Sequence, residues 1–188
     1  MRQPFLKNDR ASTATEFAVL APLFIFLVLM VMQVGVYFYY SATLQKATDM
    51  AVRQILIGNT ANSALNQSQF ITQNLCPQAS NFNCASFVVN LVAAPTDFYT
   101  MTNKTTDAAL PLGYAMSGLN APAMDNTKTS YCLGGNGSVM VAQVFYPMPL
   151  IGVPSFFATA QYNGQSVVWI QADDVFKNEP FSTSYLGC

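Results

Sequence analysis

Histidine is absent from the 188 residues, and charge is scarce, with Lys, Arg, Asp and Glu together only 9% of the chain. Without histidine there is no Ser-His-Asp or Cys-His catalysis, no imidazole metal site and no histidine-based pH switch. The charged fraction falls far below the roughly 25% of an average soluble domain, which argues against a freely soluble cytosolic protein. The net charge is −1, and no cluster of Lys and Arg follows the first ten residues. The chain therefore lacks the electrostatic footprint of a nucleic-acid binder or of a protein held on an anionic surface. Also missing is any C-x-x-C spacing among the four cysteines, Cys76, Cys84, Cys132 and Cys188.

What the chain has instead is apolar and unevenly placed. No charge occurs from Phe17 to Gln45, and the run FAVLAPLFIFLVLMVMQVGVYFYY, residues 17–40, is apolar apart from Gln33 and three tyrosine hydroxyls. A helix of about 20 such residues crosses the roughly 30 Å hydrocarbon core of a bilayer. Tyr37, Tyr39 and Tyr40 sit at its C-terminal end, where an interfacial aromatic belt is expected. The preceding stretch, MRQPFLKNDRA, carries Arg2, Lys7 and Arg10 against Asp9, a bias toward an N-terminus on the cytoplasmic side. The apolar run is long for a signal-peptide core and ends in aromatics rather than in a small-residue cleavage site. All four cysteines lie beyond this segment, an even count that reads as disulfides in an oxidising compartment.

The helical pattern continues past Tyr40. Leu44, Ala47, Ala51 and Ile55 recur at three and four residues, leaving Lys46, Asp49 and Arg53 for the wet side, and Gly58 ends the pattern. This predicts a helix over residues 12–57, about 69 Å long, half in lipid and half beneath a domain formed by residues 58–188. Pro22 predicts a kink or local unwinding near Ala18. Further expectations are a short helix from Ala64 to Leu75 capped by Asn62 or Ser63, a strand from Phe87 to Val92, and a long loop from Thr96 to Gly137. Val139 to Tyr146 reads as a central strand. Asn163-Gly164 signals a hairpin between Phe156–Tyr162 and Gln165–Ala172. Trp169 on that hairpin reads as a core or sheet-surface residue. The fold expected is α+β, one long N-terminal helix packed on a small antiparallel sheet.

No enzyme constellation emerges. Asp173-Asp174 and Glu179 read as a solvated turn, and Gly134-Gly135-Asn136-Gly137 as a turn rather than a phosphate cradle, so neither catalytic residue, metal nor cofactor is expected. Of the three connectivities open to four cysteines, Cys76–Cys84 closes a short polar loop, and Cys132–Cys188 then ties down the C-terminal tail. Glu16, at the edge of the apolar run, is either solvated in the headgroup region or functional, as ionisable residues in membrane segments commonly are.

Around Glu16 the chain resembles the TadE-like family, minor pilin-like proteins (pseudopilins) of the Tad, or Flp, tight-adherence pilus. Residues Ala14 to Leu23, ATEFAVLAPL, look like the family's A-x-E-F-A-L-V-A-P-L core, and Gln33-Val34-Gly35 falls where the family has E-x-G. Leu44-Gln45-Lys46-Ala47 and Ala51-Val52-Arg53 through Gly58 are similar to its continuation. Farther on, Ser138 to Pro149 resembles a V-x-V-x-Y-P-x-P strand and Val175 to Phe181 an F-R-N-E-P-F ending. The resemblance implies a pilin-like, disulfide-stabilised subunit, single-pass in the bacterial inner membrane with a periplasmic domain, and incorporated into an extracellular pilus. It implies that a prepilin peptidase removes residues 1–11 between Ala11 and Ser12, although the family has glycine where Ala11 stands. Glu16 then becomes the fifth residue, followed by Phe17, and serves assembly by pairing with a neighbouring subunit's N-terminal amine. The partners implied are membrane lipid, the peptidase, other Tad pseudopilins, the major pilin and the inner-membrane assembly platform. The competing reading is an uncleaved inner-membrane anchor carrying a periplasmic binding domain. A type II secretion pseudopilin also fits the architecture, and the Y-P-x-P and N-E-P-F segments favour the Tad reading.

Overall fold

The computed structural model describes residues 9–62, 65–93, 126–127, 129–150, 158 and 160–180. Most of the predicted leader, most of the predicted loop 96–137, the beginning of the predicted Phe156–Tyr162 strand and Cys188 lie outside these residues.

Helix α1, Asp9–Leu56, is 48 residues long, about 72 Å at 1.5 Å per residue. It begins three residues before the predicted start and runs unbroken through Pro22, so the unwinding expected near Ala18 does not occur. Its end follows the sequence. Gly58 takes a φ of 75°, and its amide donates to the Ile55 carbonyl, closing the last turn as a left-handed glycine does. The short α2, Asn59–Asn62, follows, and then α3, Gln67–Phe70, which continues into a π-helical turn, Ile71–Leu75. The predicted cap at Asn62 or Ser63 is corrected to Asn66. The Asn66 side chain accepts from the Gln69 amide while the Gln69 side chain accepts from the Asn66 amide, a reciprocal pair that fixes the helix start four residues later than the cap first expected.

The sheet contains β1, Val88–Ala93; β2, Val139–Pro149; β3, Ala160–Tyr162; and β4, Gln165–Lys177. The order is β1-β2-β4-β3, antiparallel throughout, so β2 is interior as its two-faced apolar sequence requires. The fold is thus α+β, a long apolar helix on a four-stranded antiparallel sheet. The predicted hairpin is present: Asn163 and Gly164 both have positive φ, 49° and 78°, as a type I′ turn needs.

Two strand readings need correction. β2 runs past Tyr146 to include Pro147 and Pro149. Leu150 donates its amide to Ser166, which places the even-numbered amides of β2 toward β4. The missing amides of Pro147 and Pro149 therefore fall on the other edge, where β1 has already ended at the Val88–Phe145 pair. Asp173-Asp174 is not a turn, since both lie inside β4, paired with Gln143 and Ala142. The long apolar β2 holds its partner in register through this polar dipeptide.

The core lies between the second half of α1 and one face of the sheet. Leu44, Ala47, Ala51 and Ile55, the predicted stripe, are buried with Val89, Leu91, Met140, Val144 and Ile170. On the opposite face Val88 and Phe145 are buried with Trp169 packed against them. There Asn90 donates from Nδ2 to Gln143 Oε1 at 3.0 Å, both side chains buried, and accepts from the Ser130 amide. The pairing satisfies polar groups that would otherwise be costly to bury.

Candidate functional site on the uncovered half of the helix

Phe17, Leu23 and Phe24 are 72%, 67% and 67% exposed, and the apolar exposure continues along α1 to Phe38 and Tyr39. Toward its other end the same helix carries Leu44 and Ile55 at 0%. So long an uncovered apolar surface is far larger than the patches a soluble monomer leaves in water. Among the described residues one helical stretch, Ala14–Leu56 of α1, is long and apolar enough to cross a membrane, which is consistent with single-pass anchoring.

Glu16 is at the start of this uncovered stretch, exposed within α1 beside Phe17. Ala11 and Ser12 lie in the first turn of the helix. The predicted site residues Ala11, Ser12, Glu16 and Phe17 thus share the first three turns of α1, at the opposite end of the helix from the folded domain.

The junction between the two halves was only partly foreseen. Three tyrosines read as an interfacial belt, but the structure gives them different tasks. Tyr37 is exposed, and its ring meets Phe38 edge-on. The Tyr39 hydroxyl accepts from Asn81 Nδ2 at 2.8 Å. Tyr40 turns inward, its ring 5.1 Å from Phe82 and 6.5 Å from Tyr146. Phe82 meets Tyr146 edge-on at 4.7 Å, and Phe87 lies 5.4 Å from Tyr146. Asn81 and Phe82 belong to the loop closed by the Cys76–Cys84 disulfide, which is formed as predicted. The closed loop therefore clamps the helix where it leaves its uncovered half. Cys132 is also disulfide-bonded, and Cys188, its predicted partner, is outside the described residues.

The far end of α1 is held by the segment after β4. Glu179 donates its amide to the Leu56 carbonyl at 3.0 Å, satisfying one of the orphan groups of the helix terminus. Buried Asn178 donates from Nδ2 to the carbonyls of Leu133 and Gly135, pinning the glycine turn before β2. That turn requires glycine at 134, where φ is 66° and a Cβ would collide with Ser138 Oγ and Met140 Sδ. Asn178-Glu179 is thus a structural staple.

Of the remaining titratable groups, Asp174 has its carboxyl raised above the ordinary value. Partial burial is the larger cause and Asp49 across on α1 the second, opposed by a hydrogen bond from the Val175 backbone. Asp173 accepts from Gln171 Nε2 at 2.7 and 2.8 Å. Among the described residues no three His, Cys, Asp or Glu side chains converge as metal ligands.

No curated protein and no solved structure matches this chain. Residues 11–53, from the predicted cleavage residue through the uncovered half and into the buried stripe, match the family described as TadE-like protein.

Proposed function

We propose that this chain is a minor pilin-like subunit of a Tad, or Flp, pilus, supporting pilus assembly and surface adherence. The observation that carries the reading is the family match at residues 11–53, whose first two turns hold Glu16 and Phe17 on a helix uncovered for half its length. In this reading a prepilin peptidase cuts between Ala11 and Ser12 on the cytoplasmic side, and the disulfide-bonded domain stands in the periplasm. The uncovered half of α1 is held by lipid before assembly and by neighbouring subunits afterwards. Glu16 then accepts the free N-terminal amine of an adjacent pseudopilin or major pilin. A carboxylate and an ammonium each cost several kcal/mol to bury alone and much less when paired.

The test is Glu16→Ala in cells that make the pilus. Insertion and cleavage should persist, while recovery of the subunit in sheared filaments should fall steeply. Removing one partner of a buried ion pair costs about 3–5 kcal/mol, which is on the order of a hundredfold or more in occupancy. Wild-type incorporation and adherence of the variant would remove the pairing role and favour the plain anchor.

A further inference from the structure

At the end of the sheet farthest from Gly58, the helix and the strands enclose an apolar groove. Met30, Gln33 and Tyr37 of α1 line one side of it, and Met148, Leu150 and Val168 the other. The strand lengths agree with this placing. Lys177 pairs with Val139 near the level of Leu56, whose carbonyl accepts from the Glu179 amide. The 11 residues of β2 then cover about 33 Å, as much as about 22 residues of helix, which brings its far end to about the level of Val34. Gln33, the one polar side chain between Phe17 and Val36, is half-buried at this groove, while Met32 and Val34 beside it are exposed. Charge keeps to the other end of the sheet. The sequence has no Lys, Arg, Asp or Glu from Thr129 to Ala172, and Asp173, Asp174 and Lys177 follow in the last part of β4.

We propose that this end of the sheet is submerged in the membrane leaflet on the domain side, with phospholipid acyl chains filling the groove. The inference rests on the membrane-spanning reading of α1, and depth arithmetic carries it. About 20 residues cross the hydrocarbon core, so a span that opens at Phe17, directly after Glu16, closes near Val36. Met30 is then about 9 Å inside the boundary, and the sheet residues across the groove lie between its depth and that of Tyr37. Sliding the span so that it closes below Met30 would draw Glu16 into hydrocarbon, together with Arg10 or the amine of a processed Ser12. Ionised groups are expensive there. Tilting the helix lowers its rise along the membrane normal and sinks the sheet further. The sheet end has no charge to desolvate. Trp169 and Tyr162, packed edge-on at 5.6 Å, join Tyr37 in an aromatic belt at the interface. The groove is continuous with the uncovered face of α1, which the same lipid coats.

The experiment uses the full chain at high lipid dilution in phosphatidylcholine vesicles, with quenching of tryptophan emission as the readout. The acyl chains carry bromine either near the glycerol or near the middle of the bilayer. Trp169 is the sole tryptophan, so the native chain serves without substitution, and its emission should fall with the shallow bromines and little with the deep ones. In a Trp169→Phe background, Leu150→Trp should lose most of its emission to the shallow bromines, and Phe24→Trp should be quenched most by the deep ones. Val175→Trp, exposed near the other end of β4, should be unaffected. Escape of Leu150→Trp from bromine, in vesicles where Phe24→Trp is quenched, would overturn the proposal, because water or protein then fills the groove. So would native Trp169 without quenching, or Val175→Trp quenched as strongly as Leu150→Trp. Phe24→Trp untouched by bromine would instead remove the membrane reading, and the proposal with it.

Discussion

Residues 17–28 and residues 44–55 belong to one unbroken helix, yet they obey different rules. In the first stretch every side is apolar, and Phe24 is 67% exposed because no part of the described chain lies against it. In the second, apolar residues keep to a single stripe, and Leu44 is fully buried against the sheet. The contrast teaches that helix formation and helix burial are separate matters. Backbone bonding alone can sustain the first stretch, which is apolar on every side as a helix crossing a membrane would be. Tertiary packing on β4 and β2 sustains the second.

The largest effect expected follows directly from this contrast. Leu44→Ala should destabilise the domain by about 2–5 kcal/mol, the range for emptying a buried leucine site. Phe24→Ala should leave the domain's unfolding midpoint unchanged, because Phe24 contributes nothing to that core. Thermal or denaturant unfolding of both variants in detergent checks the pair, and equal losses would erase the distinction between the halves.

A smaller effect separates the sheet's local from its distant determinants. Gly164→Ala places a side chain where φ is 78° and should cost about 1 kcal/mol through the turn alone, since no neighbouring atom obstructs the added carbon. The smallest concerns Asp174. Its folded carboxyl holds a proton more readily than the unfolded one, so its charge weighs against folding at neutral pH. That penalty is relieved as pH falls through the raised folded value and is gone below the unfolded one. Asp174→Asn should therefore raise the midpoint slightly at pH 7 and not in strong acid. A difference that grows on acidification would contradict the assigned sign.

What was legible in the sequence was local. The helix stripe from Leu44 to Ile55, the Gly58 stop, the Asn163-Gly164 turn and the eight-residue spacing of Cys76 and Cys84 each carry their signal within a few residues. What stayed hidden needs partners far along the chain. Asp173-Asp174 reads as a turn until β2 pairs with it, and the strand read as ending at Tyr146 runs on through Pro147 and Pro149 because β1 stops short of them. The inward turn of Tyr40 depends on Phe82, Phe87 and Tyr146, which no periodicity links. At the candidate site, Glu16 stood out because a charge beside a long apolar run is conspicuous on any reading.

The central claim is that the uncovered half of α1 belongs to a processed, pilin-like subunit rather than to a plain anchor. The most direct test is the intact mass of the protein recovered from membranes of cells with an active prepilin peptidase. The account predicts a chain beginning at Ser12, which has lost Arg2, Lys7, Arg10 and Asp9 and whose net charge has moved from −1 to −3. A mass that retains residues 1–11 would contradict it.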